Sequence, residues 1–351
     1  MEIKIGNRVI GNGCKPFIVA EAGINHNGDI EKALEMVRIA SSANVDAIKF
    51  QTFKAEEFVN DSSLMYTYKS EDKEITEPLM DILKRSEFTT EEWFRIKKEC
   101  DKQKILFFST AQNRTDLELL LELNVPAIKV GSDDFTNIPL LKDYSKTGLP
   151  IIISCGMSDL GEIYETLSSL GSFNGYPTIL LHTTSLYPTS ASDANLFKIK
   201  TLKNIFPSIP VGFSDHTIGH RASSIAIGLG ACLVEKHFTL NHDLPGPDHW
   251  FAEDPSGLLE WVNSINESFK MLGNGVLEPT SEEQKMKEVA RRSIVAIQDI
   301  RLGEKLNESN IGLRRPGYGL PPRLILQIFG MIATRNIKKG TLLNYGDFGN
   351  E

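Results

Sequence analysis

The stretch FIVAEAGINHNGDIEKALEMVRIASSANVDAIKFQT (17–52) decides the fold. It opens on FIVAEAG (17–23), a strand-length apolar run that ends in polar and small residues. IEKALEMVRIASSA (30–43) follows, with apolar residues at helical spacing, and then a second run, AIKFQT (47–52). Strand, amphipathic helix, strand is one βαβ unit, and nearly continuous apolar runs suit strands covered on both faces, as in a parallel sheet. The same pattern recurs in ILFFST (105–110), AIKVGS (127–132), IIISCG (151–156), TILLHTT (178–184), VGFSDHT (211–217) and CLVEKHF (232–238), which makes eight runs. TEEWFRIKKECDKQ (90–103), RTDLELLLEL (114–123) and LGEIYETLSSL (160–170) are helical spacers between them. Eight strands alternating with helices is the sequence form of an α/β chain folded as a (β/α)8 TIM barrel. A doubly wound open sheet would have fewer strands and, for dinucleotide binding, a G-x-G-x-x-G after the first strand, which is missing here.

Outward from the barrel, the opening IKIGNRVIG reads as a small hairpin that plugs the barrel's bottom. The barrel runs over 1–273, ending after LLEWVNSINESFKML (258–272), and a polar, partly helical linker occupies 274–290. The remainder, 291–351, contains a gapless internal repeat: AIQDIRLGEKLNESNI (296–311) aligns with ATRNIKKGTLLNYGDF (333–348). RRPGYGLPPR (314–323) lies between the two copies as a Pro/Gly loop, so this unit reads as a small β-rich domain.

Composition narrows the function classes. The 351 residues are 41% hydrophobic and 24% charged, with a net charge of −8, the balance of a globular chain with a sizeable core and a poor one for nucleic-acid binding. Cys14, Cys100, Cys155 and Cys232 are scattered, without C-x-x-C spacing, and read as reduced thiols. The N-terminus has no signal-peptide pattern and no segment has the length of a membrane span, so a cytoplasmic enzyme is expected.

Active sites of such barrels lie where the strands end. The strand-end residues form a ring: Glu21; Lys49 and Gln51; Ser109 and Thr110; Lys129, Ser132 and Asp134; Ser154; His182, Thr184, Ser185 and Tyr187; Ser214, Asp215 and His216; Glu235, Lys236 and His237. A single serine there would be a cap or turn residue. The ring as a whole would be costly to bury without a ligand. Lys49, Lys129, Thr110, Ser132, Ser154 and Ser214 supply positive charge and hydroxyls suited to a phosphate or phosphate-plus-carboxylate substrate. His216 and His237 come from neighbouring strands and, with Glu235 or Asp215 nearby, suit a divalent ion with open positions. Asp248, on a turn pre-set by two prolines, is placed to hold sugar hydroxyls, whereas His242 and His249 read as loop residues.

The motifs AEAGINHNG (20–28), KFQT (49–52), FFSTAQ (107–112), KVGS (129–132), SCGM (154–157), SLYPT (185–189), GFSDHT (212–217), EKHFTL (235–240), GPDH (246–249) and RRPGYG (314–319) give a whole-chain resemblance to a known family. The chain resembles the sialic acid synthases and their relatives that make legionaminic and pseudaminic acids. The repeat resembles that family's antifreeze-like (SAF) domain, which in these enzymes covers the partner subunit's barrel in a swapped homodimer. The resemblance implies that Lys49, Lys129, Thr110, Ser132, Ser154 and Ser214 hold phosphoenolpyruvate and that His216 and His237 bind manganese. It also implies that Glu21, Gln51, Tyr187 and Asp248 face the sugar, and that Arg315 reaches it across the dimer.

The implied reaction joins carbon 3 of phosphoenolpyruvate to the open-chain aldehyde of an amino sugar, which the metal polarises. Water adds at carbon 2, and phosphate leaves by carbon–oxygen cleavage. Three departures from the sialic acid synthases stand out, Ser185-Leu186 for Asn-Ile, Asp134 for Glu, and Arg291 or Arg292 for an aromatic residue, and the first and last lie where the sugar's substituents should bind. With Leu186 suiting a methyl group, they favour a 2,4-diacetamido-2,4,6-trideoxyhexose over N-acetylmannosamine. The alternatives are an N-acetylneuraminate synthase proper, another phosphoenolpyruvate-using barrel, or a Schiff-base aldolase built on Lys129 or Lys49.

Overall fold

The computed structural model describes residues 1–70 and 73–350. The chain divides into two compact units, Met1–Gly273 and Asn274–Glu351. Eight parallel strands close the barrel of the first unit: β1 Phe17–Gly23, β2 Ala47–Thr52, β3 Leu106–Ala111, β4 Ile128–Val130, β5 Ile151–Ser154, β6 Thr178–His182, β7 Val211–Asp215 and β8 Leu233–His237. Each strand pairs with its sequence neighbours, and β8 returns to β1 with His237 opposite Glu21.

The helices form where the sequence offers an amphipathic stripe with a cap. Asp29 caps Ile30–Ser42, accepting from the amides of Glu31 and Lys32, and Ala33, Met36, Val37 and Ala40 turn to the core. Thr89 and Glu92 close a capping box on Thr90–Gln103, whose buried face is Trp93, Ile96 and Cys100. The N-terminal hairpin of Ile3–Ile5 and Arg8–Ile10 lies across the strands' N-terminal ends. Its Ile5 and Ile10 are fully buried, Arg8 pairs with Asp46 just before β2, and Gly6 approaches Leu106 at the start of β3. The bottom of the barrel is thereby closed, and the opposite mouth is left for chemistry.

One excursion interrupts the strand–helix alternation. Between β2 and β3 the chain adds helix Ala55–Phe58, a hairpin of Met65–Ser70 with Lys73–Pro78, and helix Leu79–Lys84. Ile24, Phe53, Ala55, Val59, Tyr68, Ile82 and Leu83 form a core of its own.

In the second unit the repeat becomes structure. Ala296 and Ala333, Ile300 and Ile337, and Leu306 and Leu343 occupy matching places in the two copies, and all six are buried in one core. The copies meet at Ile300 and Ile337, whose backbone amides donate to each other's carbonyls at 2.8 Å. Among the described residues no helix is long and apolar enough to cross a membrane.

Gly212 shows how tight the barrel wall is. A Cβ there would lie 2.6 Å from the Leu233 carbonyl oxygen on β8 and 2.6 Å from Leu181 Cδ2 on β6. The carbonyl belongs to the sheet and has no room to yield. Gly212→Ala is expected to lower unfolding stability by about 1–3 kcal/mol, measured by denaturant titration; an unchanged midpoint would contradict the packing.

Candidate active site

The C-terminal mouth of the barrel encloses a cavity of about 460 Å³. Its floor holds four charged side chains, none more than 5% exposed: Glu21, Lys49, Lys129 and Glu235. Glu21 and Lys49 are register partners on β1 and β2, and Lys49 Nζ lies 2.7 Å from Glu21 Oε1. Lys49 also donates to Thr110 Oγ1 at 3.2 Å, and Gln51 Nε2 donates to Glu21 Oε1 at 3.2 Å. Lys129 donates to Ser154 Oγ at 2.8 Å and to the Val130 carbonyl at 2.9 Å. Glu235 Oε1 stands 3.8 Å from both lysines and accepts from Ser214 Oγ at 3.1 Å. The second oxygens of Glu21 and Glu235 are buried without a hydrogen-bond partner.

These groups shift one another's protonation. Burial pushes the Glu21 carboxyl up to about 7, against the pull of Lys49. Glu235 is held below the usual carboxylate range, because the attraction of Lys129 and Lys49 outweighs the cost of its burial. Burial lowers Lys129, while the carboxylates beside Lys49 raise it despite burial. Next to Lys129 and Ser154, Ser132 Oγ accepts from the Gly156 amide at 3.0 Å. A Cβ on Gly156 would strike Ser185 Oγ and Ser132 Oγ at 2.3 and 2.7 Å, so a side chain there would displace both hydroxyls.

His216 and His237 stand at the cavity's edge with ring centroids 5.4 Å apart. His216 Nδ1 lies 2.8 Å from the Thr184 carbonyl, which places the proton on Nδ1 and leaves the Nε2 lone pair available. His237 Nδ1 is buried without a hydrogen bond, 3.5 Å from Asp248 Oδ2. Desolvation pulls His216 down to about 4 and His237 well below its ordinary value, so both rings are neutral at physiological pH. Tyr187 lies over His216 with centroids 4.2 Å apart. No group of three or more His, Cys, Asp or Glu side chains among the described residues is arranged to hold a metal ion. Two neutral imidazoles, one with an orphaned nitrogen, fit an ion that takes its other ligands from water and substrate.

The cavity thus collects Glu21, Lys49, Gln51, Thr110, Lys129, Ser132, Ser154, Ser185, Tyr187, Ser214, His216, His237 and Asp248. Other expected ring members lie elsewhere, because successive strand residues face opposite sides. Ser109 hydrogen-bonds Thr52 at 2.7 Å, His182 pairs with the Ala194 carbonyl, and Asp215 and Lys236 turn to the helix layer. Asp134 does not line the cavity; its Oδ1 accepts from Asn137 at 2.8 Å, and Asp133 takes the lining position. Leu186 is 51% exposed and is also outside the lining. His249 bonds Thr239 and His242 bonds the Ala252 carbonyl, both as loop residues. Arg315 is an exposed residue of the second unit.

Sequence reasoning missed one side of the cavity altogether. Ile24, Phe58, Tyr66, Leu79, Ile82 and Leu83 give it an apolar flank, five of them from the excursion between β2 and β3. The available signal was the Tyr66/Tyr68 alternation and the stretch LMDIL (79–83), apolar except for Asp81, in a segment too long for a simple connection.

The profile of the NeuB family matches residues 36–277, and that of the SAF domain matches residues 291–349. The chain belongs to the NeuB family. Among the relatives of this NeuB-family chain is an uncharacterized protein of Methanocaldococcus jannaschii, 42% identical, covering 96% of this chain and 94% of that one. The N,N'-diacetyllegionaminic acid synthase of Legionella pneumophila is 37% identical, covering 96% and 97%. Among solved structures, the N-acetylneuraminic acid synthetase of Leptospira borgpetersenii, crystallised with citrate, superposes with a TM-score of 0.73. It is 36% identical over 82% of this chain and 95% of its own.

Asp248 offers a direct check of the site's electrostatics. Burial pushes its carboxyl from 3.8 up to about 7. The folded state therefore prefers the protonated acid, and this contribution is full below pH 4 and lost as pH rises through 7. Wild-type protein should lose about 1–3 kcal/mol relative to Asp248→Asn between pH 4 and 8, read from urea unfolding at each pH. A difference that stays flat across that range would contradict the burial of this carboxyl.

Proposed function

We propose that the chain condenses phosphoenolpyruvate with the open-chain aldehyde of an N-acyl-hexosamine and water, giving a sialic-acid-type nine-carbon 2-keto acid and phosphate. This is the chemistry of a transferase of the nonulosonic acid synthase class. The observation that carries the reading is the pair of desolvated lysines, each with hydroxyl partners, on the same cavity floor as two neutral imidazoles. Phosphoenolpyruvate brings a phosphate and a carboxylate, and two separate ammonium groups with hydroxyl donors match that pair of anions. Lys129 with Ser154, Ser132 and the Gly156 amide suits the phosphate, and Lys49 with Thr110 suits the carboxylate.

Glu21 has the property needed beside them. A carboxyl pushed up to about 7 gives and accepts a proton near neutral pH. An aldehyde oxygen becoming a hydroxyl needs the first, and a water adding at carbon 2 needs the second. His216 and His237 would hold a divalent ion, manganese in this reading, which would supply Lewis-acid polarisation of the aldehyde. Tyr187, Gln51 and Asp248 border the space left for the sugar.

The acceptor in this reading is a 2,4-diacetamido-2,4,6-trideoxyhexose. Its support is the apolar flank of Phe58, Leu79, Ile82 and Leu83, which suits a methyl group and acyl methyls better than the hydroxymethyl of N-acetylmannosamine. The name of the Legionella relative, an N,N'-diacetyllegionaminic acid synthase, agrees with a diacetamido sugar. The reading includes a swapped homodimer in which Arg315 of one subunit serves the sugar held by the other; its support is the exposure of Arg315 and the SAF match of its domain.

Metal-stripped protein should release phosphate from phosphoenolpyruvate only when both Mn2+ and an acceptor sugar are present, with the diacetamido sugar the preferred one. Its kcat/KM should exceed that for N-acetylmannosamine by roughly 10–200-fold, and Leu79→Ser should narrow that gap. Lys129→Met should cost at least about a hundredfold in kcat/KM. Equal use of both sugars would remove the trideoxy assignment, and phosphate release without any acceptor would remove the synthase reading.

A further inference from the structure

Between Glu235 and His237, which face the cavity, Lys236 faces the other way. Its side chain is 2% exposed, and nothing in the proposed chemistry uses it. Its ammonium donates to the Thr217 carbonyl and stands 3.4 Å from Asp215 Oδ2 and 3.8 Å from Glu253 Oε1. Asp215 is fully buried and is the register partner of Lys236 across β7 and β8. Its Oδ1 accepts from the Thr217 amide and hydroxyl at 2.8 and 2.7 Å. Its Oδ2 accepts from Ser223 Oγ at 2.7 Å, and Trp261 Nε1 donates to that same Ser223 oxygen at 2.8 Å. The cluster is therefore anchored to helices Arg221–Gly228 and Pro255–Leu272, behind the barrel wall.

Each group that Lys236 touches belongs to a segment carrying a cavity residue. Asp215 and Thr217 flank His216, and Lys236 itself precedes His237. Glu253 closes the loop that bears Asp248: its amide donates to the His237 carbonyl at 2.9 Å, and its own carbonyl accepts from the Thr239 amide at 2.9 Å. A buried ion pair is a weak source of stability, because apolar residues of similar volume pack the same space without the desolvation cost. What charges add in such a place is a fixed arrangement. Metal ligation demands one, since donor distances tolerate only about 0.2 Å.

We propose that Lys236 is a positioning residue: clamped by Asp215, Glu253 and the Thr217 carbonyl, its ammonium holds His216, His237 and the Asp248 loop in the geometry that binds the metal. This rests on the reading of the two histidines as the metal pair. Phosphoenolpyruvate binding, which relies on Lys49 and Lys129 from β2 and β4, is independent of it.

The test compares Mn2+ dissociation constants, from electron paramagnetic resonance of the free ion, with melting temperatures from calorimetry and the KM for phosphoenolpyruvate. The proteins are the wild type, His237→Ala, Lys236→Met and the doubly neutral Asp215→Asn/Lys236→Met. The double variant leaves no unpaired Asp215 charge and gives the reading if Lys236→Met fails to fold. Both Lys236 variants should weaken Mn2+ binding by roughly 10–100-fold. The double variant should melt close to the wild type, with the KM for phosphoenolpyruvate within about threefold. Wild-type Mn2+ affinity in the folded Lys236 variants would overturn the brace alone. Undiminished Mn2+ binding by His237→Ala, or none by the wild type, would overturn the metal pair and the brace with it.

Discussion

Everything at the mouth of this barrel depends on keeping four charges out of water. Two lysines and two glutamates share the floor, and each ammonium has a carboxylate oxygen within 3.8 Å. Without those partners, burial at this depth would cost several kcal/mol per charge. The hydroxyls of Thr110, Ser154 and Ser214 complete the hydrogen bonding, and the orphaned oxygens of Glu21 and Glu235 mark where it stops. An anionic substrate entering this floor meets lysines already desolvated and held in place, so binding need not reorganise them.

Alternation along the strands sorts charges between the cavity and the helix layer. Along β7 and β8, Ser214 and Glu235 point into the cavity while Asp215 and Lys236, one residue on, point into the helix layer. Adjacent positions of the same two strands thus contribute to two different ion networks. The inner one is left incomplete toward the cavity. The outer one is bonded to Thr217, Ser223 and Trp261 and leaves Glu253 Oε1, 3.8 Å from Lys236, without a hydrogen bond.

The barrel was legible because each strand is an apolar run of its own and the first two flank a capped amphipathic helix. The repeat of the second unit was legible because its two copies align without a gap, and the residues that align are the ones that pack together. The site was legible as a ring of strand ends, but period-two alternation decides which members face inward, and strand-end irregularities make that parity unreadable. This is why Ser109, His182, Asp215 and Lys236 face away from the cavity, whereas Asp133 and Asp134 lie in the turn after β4, where alternation does not apply and Asp133 takes the lining place. Leu186, expected to suit a methyl group, is exposed and outside the lining; the apolar surface comes instead from Phe58, Leu79, Ile82 and Leu83. That flank was invisible because it is assembled by an insertion with a small core of its own, whose short helices and hairpin have no barrel periodicity.

The anion-binding floor and the imidazole edge share a single cavity and so can act on one reaction. The most direct test is a crystal structure with Mn2+ and phosphoenolpyruvate, with data collected at the manganese absorption edge. The anomalous peak should lie between His216 Nε2 and His237, with the phosphate against Lys129 and Ser154 on the floor beside it. Manganese bound away from both histidines, or phosphoenolpyruvate outside the reach of Lys49 and Lys129, would contradict the account.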